Sequence, residues 1–280
     1  MKNNLKPDDL IPMDSLNTQG LFHQVYLSKA CFEGLAEAEQ KTWLKIVGKC
    51  MDGLSNIKND PAYCEFLSNE LGHDFSKGFA TMAESPLILT AEKLSDLGEC
   101  YFLSSNVGKA GYTNMVNINP QRIKEASASE KSFTIAHEMG HALIHAAEMS
   151  EDNNTLFKLA TRSFKSPRER MKYHWQNEFN ADKIACAINP EEHQFNLPTT
   201  MTQAYRKGRL SPSTARLLSG FYATRDSLLA PALDRMSMKG AQVVRSLIDA
   251  EAHITHPPTM TRAVEADRFT QKAKSFLSTP

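Results

Sequence analysis

One run, SFTIAHEMGHALIHAAE (132–148), constrains this chain more than any other. Residues four apart share one face of an α-helix, so His137 and His141 aim both imidazoles at one point. Glu138, next to the first histidine, can reach a water held there. This is the HExxH arrangement, in which two histidines ligate a metal and the glutamate serves as general base. Ser127 and Glu130 match a capping box, which predicts a helix over about 128–148. Gly140, in its middle, costs about 1 kcal/mol relative to alanine. Such a cost makes sense where another backbone must come close. His145 extends the stripe by one turn. It is too far along to join the same tetrahedron and reads as a core histidine or a supporting one.

A hydrolytic zinc requires three protein ligands and one open position. The best third ligand lies in NEFNADKIA (177–185), where Glu178, Ala181, Asp182 and Ala185 share one helical face. The alanines would let that helix pack closely on the HExxH helix. Glu178 would then face the metal, and Asp182 would accept the outer N–H of a ligating histidine, fixing its tautomer. Glu148 lies on the same helix, more than one turn past His141, and cannot readily curl back. Glu169 sits near a helix start, where a role with the dipole suffices.

The surroundings read as mainly helical with a few strands, an α+β pattern. Residues 1–85 read as a helical N-terminal region, and 86–280 as the domain carrying the site. In EAEQKTWLKIVGKCMDGL, residues Trp43, Ile46, Val47, Cys50, Met51 and Leu54 recur at helical spacing, and Glu37 sits four before Lys41. AYCEFLSNELG is a further short helix. PLILT and YFLSS could be strands or helix ends, and GYTNMVNINP is the better strand, its Val116 and Ile118 alternating with asparagines. A long helix starts at Ser166-Pro167 and stops at Asn189-Pro190. Further helices are expected from Ser211-Pro212 to about 236, over GAQVVRSLIDAEA, and from the loop HITHPPTMT to about Phe276.

The 280 residues are 41% hydrophobic and 23% charged, with zero formal net charge. That argues against general attraction to nucleic acid or anionic membrane. Residues 258–280 carry four basic against two acidic residues, with no recognisable reading helix. The polar start lacks the apolar stretch of a secretory signal, and no run is long enough to span a bilayer. The five cysteines are scattered, without CxxC spacing, which suits a cytoplasmic protein with core thiols. An effector secreted without a signal peptide fits equally well. Arg162, Lys165, Arg168, Arg170 and Lys172 form a basic cluster, read as a solvated surface or as a rim for an acidic substrate.

FTIAHEMGHALIH, followed by NEFNADKIACAINPEEHQF and preceded by VNIN, resembles the ImmA/IrrE family of zinc metallopeptidases over roughly residues 112–196. These belong to the gluzincins, whose third ligand is a glutamate on a later helix. The resemblance implies a zincin-like fold, with a small β-sheet beside the HExxH helix and extra helices at both ends. It maps His137, His141 and Glu178 to Zn2+ ligands and Glu138 to the base. ITHPPTMTRA (254–263) is similar instead to a loop of HtpX-like gluzincins. The implied activity is a zinc endopeptidase acting on a protein or peptide substrate, such as a regulator, a repressor or a host protein. The competing reading is a non-catalytic, metal-stabilised binding protein on a peptidase scaffold.

An extended substrate would add to an edge strand, expected at 112–119. The developing oxyanion needs a donor, for which His174, Tyr173, His256 and Arg262 are candidates. His256 could alternatively occupy the open metal position.

Overall fold

Trp43, Ile46, Val47, Cys50, Met51 and Leu54 are all buried on one face of α1 (Glu37–Asn59), as their spacing predicts. On its wet side Glu37 pairs with Lys41 at 2.7 Å. The computed structural model describes residues 9–17, 20–32, 35–90, 98–104, 112–118, 127–151, 167–188, 257 and 259–279. The helices expected between 211 and 253 lie outside these residues. Two helices follow α1. Asp60 caps α2 (Pro61–Leu71) by accepting from Tyr63 N, and Asp74 caps α3 (Phe75–Ala83) by accepting from Lys77 N. Sequence reading anticipated α2 but not α3.

Five strands form one mixed sheet: β1 (Leu10–Pro12), β2 (Val25–Ser28), β3 (Leu87–Thr90), β4 (Gly98–Ser104) and β5 (Tyr112–Ile118), in spatial order β1-β2-β3-β5-β4. The inner pairs β2–β3 and β3–β5 are parallel, and the outer pairs are antiparallel. Two sequence expectations are corrected here. The stretch 1–85 is not purely helical, since β1 and β2 lie within it and β2 pairs with β3, Val25 opposite Leu87. And β5 is not an edge strand, because β3 and β4 flank it. Interior position explains why Asn114 and Asn117 are buried along with Met115 and Val116, where alternation alone suggested one wet face. Asn114 Nδ2 donates to Ser85 Oγ at 2.9 Å, so this buried amide is paired.

The chain is thus α+β and mostly helical, and its sheet lies beside the helix that carries the HEMGH run. That helix, α4 (Ala128–Glu151), starts with the expected capping box. Glu130 N donates to Ser127 Oγ, and Ser127 N donates to Glu130 Oε2 at 2.7 Å. Helix α5 (Pro167–Ile188) crosses it and carries Glu178. Helix α6 (Thr259–Leu277) lies against α5. One continuous core runs from Leu21 in the N-terminal region to Ala273 in α6.

The α4–α5 crossing is set by Gly140. A Cβ placed there would meet Ala181 O at 3.0 Å, Ala181 Cα at 3.1 Å and Ile184 Cβ at 3.3 Å. The helix backbones touch, and the nearest neighbours are backbone atoms that cannot rotate away. Gly48 in α1 offers a contrast, its nearest neighbour being Leu16 Cδ2 at 3.8 Å. Gly48→Ala should therefore stabilise the protein by about 0.5–1 kcal/mol through helix propensity. Gly140→Ala should destabilise it by about 1–3 kcal/mol through overpacking, despite the same propensity gain. Urea unfolding of the two variants checks the opposite signs.

Candidate metal centre

The Gly140–Ala181 contact brings the helix face bearing Glu178 and Asp182 onto the face bearing His137 and His141. Ligand atoms of His137, His141 and Glu178 all lie within 4.8 Å of one another. His137 Nε2 and His141 Nε2 are 3.1 Å apart. Glu178 Oε2 is 3.6 Å from His137 Nε2, and Glu178 Oε1 is 3.4 Å from His141 Nε2. Donors bound at about 2.0–2.1 Å to a tetrahedral zinc lie about 3.3–3.4 Å from one another. The separations match that geometry, so this buried His-His-Glu group can hold a metal ion. The two imidazoles stand edge-on to each other, with ring centroids 4.6 Å apart. Glu138 is buried beside them.

Asp182 lies behind His137, with Oδ1 2.9 Å from the ring's Nδ1. That leaves Nε2 to face the ligand cluster. Asp182 is 1% exposed, so its charge needs a partner. Arg262 of α6 supplies it: Nε donates to Asp182 Oδ2 at 2.8 Å and Nη2 to Oδ1 at 2.7 Å. Nη1 of the same side chain lies 3.2 Å from Glu178 Oε2. Arg262 was one of four candidates for the oxyanion, but its guanidinium is engaged with these two carboxylates. A cue existed in the sequence. Arg262, Ala266, Phe269, Ala273 and Phe276 fall on one stripe of α6, and an arginine on an apolar stripe demands a buried anion.

The electrostatics follow from this packing. Burial by itself would raise the Glu178 carboxyl, but Arg262 and then the two histidines overcome it and hold the group well below the usual carboxylate range. Asp182 is likewise held low against burial, by Arg262 and His137. Burial would lower His137, yet Asp182, Glu178 and Glu138 together hold it above the ordinary imidazole value.

The other named residues fall around this centre. His145 stacks one turn further along α4, 6.0 Å from the His141 ring. Burial, with repulsion from His141, His174 and His73, pushes it down to about 3, so it stays a neutral, supporting ring. His174 lies one turn before Glu178, half-buried, with its ring 5.5 Å from that of Tyr173. Its ligand atoms are not part of the converging group. Tyr173 donates its hydroxyl to Glu148 Oε2 at 2.9 Å, which ties up both of these former candidates. His256, Arg162 and Lys165, and the side chains of Arg168, Glu169 and Arg170, lie outside the described residues, whereas Lys172 is exposed. Four cysteines, Cys31, Cys50, Cys64 and Cys186, are buried free thiols. Burial pushes Cys31 and Cys50 up to about 12. Among the described residues no helix is long and apolar enough to cross a membrane.

No family model, no curated protein and no solved structure matches this chain.

The raised His137 has a consequence for binding. Metal must displace the proton that Asp182, Glu178 and Glu138 favour on this ring. Metal binding should therefore release a proton, and affinity should fall as pH drops through the raised His137 value. Calorimetry in buffers of different ionisation enthalpy checks this. A proton count of zero below neutral pH would contradict it.

Proposed function

We propose that this chain is a zinc-dependent endopeptidase of the gluzincin kind, in line with the resemblance to ImmA/IrrE peptidases. The single observation that carries the reading is the buried convergence of His137, His141 and Glu178 at tetrahedral separations, with a carboxylate at position 138. A structural metal has no use for that neighbouring carboxylate, whereas a hydrolytic one does.

His137, His141 and Glu178 would hold the ion, and Asp182 would keep the His137 ring in the ligating tautomer. Bound there, zinc supplies Lewis acidity, lowering the pKa of a water towards neutrality and polarising the scissile carbonyl. Glu138 takes the proton from the attacking water as the new C–O bond forms. It returns that proton to the amide nitrogen as the C–N bond breaks. His174 is the candidate donor to the oxyanion among the described residues.

The substrate is an extended protein segment. Among the described residues β4 is an outer strand of the sheet and lies against α4, the helix of the two histidines, and it replaces residues 112–119 as the strand to which a substrate would add. Main-chain hydrogen bonds along that edge would hold the peptide without reading its sequence.

The test pairs Glu138→Gln with His141→Ala. Glu138→Gln should bind one equivalent of zinc like the unaltered protein and lose cleavage of an unstructured protein such as casein by about 100-fold or more. His141→Ala should lose both metal and cleavage. Cleavage by Glu138→Gln at the original rate would end this reading.

A further inference from the structure

The site above draws its residues from three helices, and the last of them comes from the far end of the chain. Resting on the metal reading, we infer that Arg262 is a positioning residue that restricts Glu178 to coordination through a single oxygen, Oε1, and so keeps one position of the metal open for solvent.

Glu178 presents both carboxylate oxygens to the imidazoles, Oε1 at 3.4 Å from His141 and Oε2 at 3.6 Å from His137. Nothing in those two distances prevents the carboxylate from chelating an ion with both oxygens. A chelating carboxylate would fill the position that a hydrolytic zinc needs for water. Arg262 breaks the symmetry. Its Nη1 forms an ion pair with Oε2 at 3.2 Å, so that oxygen faces a guanidinium as well as His137 at 3.6 Å.

The guanidinium is not at liberty to shift. Nε and Nη2 form a two-pronged clamp on Asp182 at 2.8 and 2.7 Å, which fixes the plane of the group and hence the direction of Nη1. Asp182 is in turn fixed by His137 Nδ1 at 2.9 Å. One side chain therefore links the carboxylate ligand to the carboxylate that orients a histidine ligand. Helix α6 is anchored one face at a time along the stripe that starts at Arg262. Phe269 and Phe276 both stack on Phe66 of α2, with ring centroids 6.1 and 4.6 Å away. Lys272 pairs with Glu70 at 2.8 Å. A lysine at 262 would keep the charge, but a single ammonium cannot serve both oxygens of Asp182 and Oε2 of Glu178 in fixed directions.

The test uses cobalt(II) in the full-length chain with added azide, because an anion that enters an open position of the ion changes its visible absorption. The unaltered protein should bind one equivalent and change its spectrum when azide is added. Arg262→Lys, which still neutralises Asp182, should bind cobalt about 10–100-fold more weakly and lose most of that azide response. Arg262→Met should show the same loss, with circular dichroism reporting whether it folds. If Arg262 merely braced the fold, affinity would fall and the cobalt that remained bound would still respond to azide. That result in Arg262→Lys overturns this inference and leaves the metal reading standing. Failure of the unaltered protein to bind cobalt, or undiminished binding by His141→Ala, overturns both.

Discussion

The centre depends on two helix backbones touching at Gly140 and Ala181. Imidazoles at positions 137 and 141 reach only a few ångströms from their own helix, and so does the carboxylate at 178. A Cβ at 140 would lie 3.0 Å from Ala181 O, so α5 would have to move off by a few tenths of an ångström. The 3.4 and 3.6 Å separations between Glu178 and the two imidazoles are therefore a consequence of the interhelical distance, whereas the 3.1 Å between the imidazoles comes from the HExxH spacing. The chain accepts the propensity cost of a mid-helix glycine where that cost is offset by the ligand geometry it permits.

Close packing creates an electrostatic problem that the fold then solves. Glu138, Glu178 and Asp182 are all buried within one small volume. In the absence of a cation, burial and mutual repulsion would force protons onto them. Arg262 is the cation the described residues bring, and it enters from α6 rather than from either ligand helix. Stability and site chemistry are thus coupled through the C-terminal helix, and the aromatic stack between α2 and α6 carries that coupling into the N-terminal part of the chain.

Much of the site was legible because its parts obey local rules. The period of 3.6 placed His137 over His141 and Glu178 over Asp182. The Ser127–Glu130 box and Pro167 marked where the two helices begin, and Glu37–Lys41 and the α1 face behaved as their spacing required. What local rules could not reach were the non-local choices. Helix α3 went unread because its nine residues carry too short a pattern. The strand at 112–118 was recognised, but its place inside the sheet depends on which strands flank it, and that is settled by pairing with residues 87–90 and 98–104. Buried Asn114 and Asn117 look like solvent residues until both faces of the sheet are covered.

The sequence by itself determined the two ligand-bearing helices, where they start and which faces they must bury, because each follows from interactions within a few residues. Only the tertiary structure decided that those faces meet, that β4 rather than β5 is the outer strand beside α4 among the described residues, and that Arg262 closes the ring of charges around Asp182 and Glu178. Those outcomes depend on distances between residues far apart in the sequence, about 40 positions for Gly140 and Ala181 and 80 for Arg262 and Asp182. Backbone period and propensity carry no information about such distances. Packing and the cost of burying unpaired charge do.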